Sequence, residues 1–247
     1  MHSRDPNPPA AAPRRRFCAL SAALLSGIAG GGSAEGAASV FTLHTFGDSI
    51  LDCGVYNDFR IHPGQLLVKN DDARFPDFRN TDLQSRRAAR LDHRAVDGAT
   101  VAGLASQGRG LRPSQPGVAL LTVGGNDLIR GLAADDGRGI RAFEVALEGF
   151  LRQLPVRPVL IGNVYDPTFG NDALNFLSVE AKLARANHRR VNEVLATLAA
   201  RYGRMVDLHA HFLRGDPSWY IHTIEPSLRG ASEVRRAFWP AVLGSLS

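Results

Sequence analysis

The chain has 247 residues, 44% of them hydrophobic and 21% charged, and a formal net charge of +5. That composition suits one sizeable α/β core and excludes a disordered, collagen-like or coiled-coil chain. Two of the five charges come from the first forty residues, where Arg4, Arg14, Arg15 and Arg16 outweigh Asp5 and Glu35; no run of basic residues interleaved with aromatics follows, so nothing points to nucleic acid as a partner.

Residues 1–39 separate from a domain at 40–247. Arg14-Arg15-Arg16 precedes the apolar run from Phe17 to Gly30, and Ser33-Ala34-Glu35-Gly36-Ala37 supplies small residues for cleavage. This is the layout of a signal peptide, which predicts a secreted or periplasmic protein. The alternative is a disordered extension on a cytoplasmic protein, which suits Cys53 left without a partner once Cys18 departs. The run is too short and too rich in Gly and Ala for a stable membrane span.

Strand and helix then alternate. Val40 to Phe46 is a β-branched and aromatic run that ends at Gly47-Asp48-Ser49-Ile50. His62 to Asp72 and Phe75 to Phe78 hold many turn formers and are expected as loop. A short strand over Leu91–Val96 leads into Asp97-Gly98-Ala99-Thr100, and Val118 to Val123 is a second buried strand, ending at Gly124-Gly125-Asn126-Asp127. Helical spacing covers Arg138–Gln153, a strand follows at Pro158–Tyr165, and a long amphipathic helix is expected from Leu174 to Tyr202 with Lys182, Arg185, Arg189 and Arg190 on its solvated side. This alternation predicts a parallel sheet covered on both faces.

Two strand ends carry chemistry. A strand ending in glycine turns sharply and projects the next side chains from the carboxyl edge of a sheet, where open α/β sheets place their ligands. Ser49 is mounted in that way. The paired glycines before Asn126 allow close backbone approach, and its amide is a donor of the type that stabilises a developing oxyanion.

The order Gly-Asp-Ser, then Gly98, then Gly-x-Asn-Asp resembles the SGNH (GDSL-type) hydrolase superfamily, from about Val40 to Val242. The resemblance implies a three-layer, flavodoxin-like α/β fold and hydrolysis of carboxylic esters of small molecules. It implies Ser49 as the nucleophile, with the N–H groups of Ser49 and Gly98 and the Asn126 amide as the oxyanion hole. No cofactor or metal is required, and no acidic or cysteine cluster has zinc-like spacing. Asp48 and Asp127 are expected to fix their own loops through backbone N–H groups. Asp52, Tyr56 and Asn57 are candidates for the acyl or alcohol pocket.

The last block departs from the family, which closes with Asp-x-x-His-Pro. Here the stretch reads His222-Thr223-Ile224-Glu225-Pro226, so the family's Asp falls on His222 and its His on Glu225. Imidazole suits proton removal near neutral pH, whereas an ordinary carboxylate is a weaker base by more than two pKa units. Chemistry therefore favours His222 as base with Glu225 orienting it; register favours Glu225 itself. His209 and His211, expected on one face of a strand end, are further sources of imidazole. Loss of the base would leave a binding protein for an acylated or carbohydrate ligand.

Overall fold

A computed structural model describes residues 39–113 and 115–246. The expected leader at 1–39 therefore lies, apart from Ser39, outside the described residues. Five strands, β1 (Phe41–Gly47), β2 (Ala89–His93), β3 (Gly117–Thr122), β4 (Val159–Gly162) and β5 (Gly203–Val206), form one parallel sheet in the order β2-β1-β3-β4-β5. Strand β1, near its centre, is buried throughout, which explains its uninterrupted apolar and β-branched sequence.

Alternate residues of each strand feed two cores. On one face Leu43, Val118, Leu120 and Leu160 pack with Leu67 of α1 (Pro63–Val68) and with Val234, Phe238 and Val242 of α7 (Leu228–Leu243). On the other, Phe46, Ala119, Leu121 and Ile161 meet Phe143 and Leu147 of α4 (Arg138–Gln153) and Val191, Leu195 and Leu198 of α5 (Ala181–Tyr202). The expected three-layer α/β fold is thus observed. Between them lie α2 (Leu104–Gln107), α3 (Gly125–Ile129) and α6 (Leu208–Phe212). A two-stranded antiparallel ribbon, β6 (Tyr220–Ile221) with β7 (Glu225–Pro226), precedes α7.

Three local expectations are corrected. The stretch 62–72 contains helix α1, because Pro63 occupies a first-turn position that needs no N–H and the Gln65 side chain accepts from the His62 N–H at 2.9 Å. Helix α5 begins at Ala181 rather than Leu174, since the Glu180 carboxylate accepts from the N–H groups of Lys182 and Leu183, while Asn171 caps a separate short turn. His209 and His211 stand on α6 rather than on a strand face, because Asp207 caps a helix there through the Ala210 N–H at 2.9 Å.

Candidate active site

The turn that presents Ser49 is built on Gly47. Its φ is +113°, and a Cβ there would stand 1.6 Å from the Thr122 carbonyl oxygen, so only glycine fits between β1 and β3. The Gln107 side chain clamps this glycine from both sides, accepting from its N–H at 2.6 Å and donating to its carbonyl at 2.8 Å. Nothing in the sequence signals Gln107, a single amide at the end of the short helix α2.

Asp48 is fully buried and accepts from Thr122 Oγ1 at 2.7 Å and from the Ile50 N–H at 3.2 Å. Burial outweighs both bonds and pushes its pKa up to about 6. It fixes the nucleophile turn, as expected. Ser49 itself is 7% exposed.

On one side the Gly98 loop beside it is held by α3 and the residue after it. Asn126 Nδ2 donates to the Ala99 carbonyl at 3.1 Å, Asp127 accepts from the Val101 N–H at 3.2 Å, and Arg130 donates to the Gly98 carbonyl at 3.0 Å. The last bond was not legible in sequence. Gly98 has a φ of +72°, which turns the loop back toward the strand end. Asn126 spends one amide hydrogen on this scaffold and keeps a second, and it borders the same pocket as Ser49.

From the other side the loop is held by Asp52, which accepts from the Asp97 N–H at 2.9 Å and pairs with His93 Nε2 at 3.1 Å. Tyr56 donates to Asp97 at 2.7 Å. Of the three candidates after Ser49, Asp52 and Tyr56 therefore support the Gly98 loop, while Asn57 bonds to Cys53 and Ile61 and closes its own turn.

The β6–β7 ribbon places the altered last block. His222 and Thr223 form its turn with φ of 49° and 73°, and Ile221 pairs with Glu225. Tyr165 anchors the ribbon by donating to the Ile224 carbonyl. Glu225 lies at the site at 8% exposure, near enough for the Ser49 hydroxyl to act on its carboxylate, and its Oε2 is buried with no partner among the described residues. Burial raises its pKa, the Ser49 hydroxyl and the His222 ring oppose that rise, and Asp97 adds to it. His222 is exposed and lies edge-on to the Tyr56 ring, centroids 5.8 Å apart. The ribbon thus brings the carboxylate to the serine and leaves the imidazole outside.

The other two candidate histidines, His211 and His209, have partners away from Ser49. His211 pairs with Glu233 at 3.0 Å and stacks on Trp219, and His209 lies against His188. Among the described residues no group of three or more His, Cys, Asp or Glu is arranged to hold a metal ion, and no helix is long and apolar enough to cross a membrane.

The segments that follow the neighbouring strands β2, β1 and β3, and carry Gly98, Ser49 and Asn126, have the order of the SGNH class of α/β hydrolases. Within it, the chain belongs to the GDSL-like lipase/acylhydrolase family, whose sequence profile matches residues 45–231, and so to a family of ester hydrolases. Solved structures share the fold at low identity. They include LAE5, an alpha/beta hydrolase enzyme from the metagenome of Lake Arreo, Spain (23% identity, TM-score 0.57, covering 85% of this chain and 98% of that one). The acetylxylan esterase Axe2 from Geobacillus stearothermophilus is similar at 19% identity and a TM-score of 0.59, over 83% of this chain and 95% of that one. The lipase Lip_vut3 from a goat rumen metagenome is similar at 18% and 0.60, over 82% and 97%. No curated protein matches the chain in sequence.

Proposed function

We propose that the protein hydrolyses carboxylic esters through an acyl-enzyme on Ser49, with Glu225 as general base. The observation that carries this reading is the approach of the Glu225 carboxylate to the Ser49 hydroxyl at a strand end otherwise built for a nucleophile. Ser49 Oγ attacks the ester carbonyl carbon as its proton passes to Glu225. The resulting oxyanion is held by the N–H groups of Ser49 and Gly98 and by the free hydrogen of the Asn126 amide. Collapse breaks the bond to the alcohol oxygen, which takes the proton back from Glu225. Water then attacks the acyl carbon, Glu225 accepts its proton and returns it to Ser49, and the carboxylic acid departs.

Energetics support Glu225 in this role. An ordinary carboxylate is a poor match for a serine proton, but desolvation raises this one and so improves its strength as a base. His222 acts from outside, as a charge that steadies the ionised carboxylate when protonated. A fluorophosphonate that labels Ser49 in the wild type and not in Ser49→Ala is the test. Binding of acylated or carbohydrate ligands with no covalent labelling would instead mark a protein that keeps the pocket without the reaction.

A further inference from the structure

The Gly98 loop carries one of the proposed oxyanion donors, and it is held on both flanks of that N–H. Arg130 holds the Gly98 carbonyl at 3.0 Å, and Asp52 Oδ2 accepts from the N–H of Asp97, one residue before, at 2.9 Å. Asp52 itself belongs to the nucleophile turn, where its own N–H donates to the Asp48 carbonyl at 3.1 Å. A single side chain therefore ties the turn that presents Ser49 to the loop that presents Gly98. A carboxylate with one oxygen on a loop still rotates about its side-chain torsions, so the tie is firm only where the second oxygen is held as well.

His93, the last residue of β2, supplies that constraint. Its Nε2 pairs with Asp52 Oδ1 at 3.1 Å, and its Nδ1 with the hydroxyl of Thr45, its partner in the β1–β2 register, at 2.7 Å. Both ring nitrogens are thus occupied, and the imidazole has none to offer a substrate. One face of the ring is covered by His62, the residue before α1, with 3.9 Å between centroids and 17° between planes. Burial pushes the His62 pKa down to about 4, with His93 adding to the fall and Asp52 opposing it, which leaves that ring neutral near neutral pH. Burial works to raise the Asp52 pKa, but the His93 bond and the Asp97 N–H together outweigh it and hold the carboxyl below its usual value. Asp52 is therefore ionised, with one oxygen on the imidazole and the other on the loop.

We propose that His93 is a positioning residue for ester hydrolysis: acting through Asp52, it fixes the loop that aims the Gly98 N–H at the oxyanion. The proposal rests on the reading of Ser49 as nucleophile and Gly98 as oxyanion donor. Acylation and deacylation both pass through an oxyanion, so a slackened loop slows both and leaves KM nearly unchanged. The test uses the full chain and p-nitrophenyl butyrate, with active sites counted by fluorophosphonate titration so that kcat refers to folded enzyme alone. His93→Phe keeps a ring against His62 and removes both bonds; kcat is expected to fall about tenfold or more, part of the roughly 100-fold that loss of an oxyanion donor costs, with KM within about twofold. The rate of fluorophosphonate labelling, which builds negative charge in the same hole, should fall with it. His93→Gln, whose amide can donate to Asp52, should recover most of the loss. In an Asp52→Ala background, His93→Phe is expected to change kcat by less than about twofold, because residues that act through one contact are not additive. A kcat per labelled site unchanged in His93→Phe, a loss as large in His93→Gln, or an equal further loss in the Asp52→Ala background overturns the positioning role and leaves the nucleophile in place. Absence of an adduct on wild-type Ser49 overturns the nucleophile reading and this proposal together.

Discussion

Glu225 is buried near enough to Ser49 for the hydroxyl to act on its carboxylate, while the histidine of the same ribbon, His222, is exposed against Tyr56. Because the β6–β7 pairing sets Glu225 opposite Ile221, the turn residues His222 and Thr223 are left at the tip. The two chemical types of the family's last block are present with their spatial order exchanged.

This arrangement predicts a pH dependence. A base must be ionised to act, and burial holds the Glu225 pKa above the usual carboxylate value, so acylation rises with pH through that raised pKa and then levels. Glu225→Gln is expected to cost about 100-fold or more in kcat. His222→Ala removes an exposed charge and changes kcat/KM by less than about fivefold, with the midpoint shifted slightly upward. The pH–rate profiles of the three proteins supply the check.

A double variant, His222→Asp with Glu225→His, restores the family's order in the existing register. An imidazole then replaces the carboxylate at Ser49, and the midpoint of the acylation profile should move to about 6.5, the ordinary value for imidazole. Steady-state assays across pH with one activated ester read this shift.

Asn126→Ala is expected to lower kcat by about 100-fold or more with a smaller change in KM, since an oxyanion donor acts mainly in the transition state. Part of any loss comes through the Gly98 loop, because Asn126 also donates to Ala99. Asp127→Asn separates the two effects. It weakens the bond to the Val101 N–H, leaves the oxyanion donor in place, and should cost less activity than Asn126→Ala.

Much of this was legible from the residues alone. The buried runs ending in Gly47 and Gly124 located two strand ends, and the helix over Arg138–Gln153 appears with the expected bounds. Other features depend on contacts between distant segments and leave no local pattern: the Gln107 clamp, the bond of Arg130 to Gly98, and the Tyr165 anchor. The role of the 222–225 stretch was ambiguous for a different reason. Register and chemistry pointed to different residues, and only the ribbon pairing decides which side chain reaches the serine. Leu177 carries helix-like spacing in sequence, yet it lies before α5, which starts later than the apolar pattern implies, and it lines the pocket; Arg185, on α5 itself, lines it too.

Asp48 predicts a stability signature independent of activity. Its folded pKa of about 6 lies above the unfolded value, so the neutral acid favours folding at low pH. That contribution is complete below about pH 4 and lost as pH rises through about 6, for a total of up to about 3 kcal/mol. Asp48→Asn should flatten this part of the pH dependence of Tm, measured by calorimetry from pH 4 to 7.

The central claim is that Ser49 carries the acyl group with Glu225 as its base, and pre-steady-state release of p-nitrophenol from a p-nitrophenyl ester tests it most directly. The account predicts a rapid burst approaching one equivalent per chain in the wild type, none in Ser49→Ala, and a burst slowed by about 100-fold or more in Glu225→Gln. A burst that persists in Ser49→Ala, or one that keeps its rate in Glu225→Gln and vanishes in His222→Ala, would contradict it.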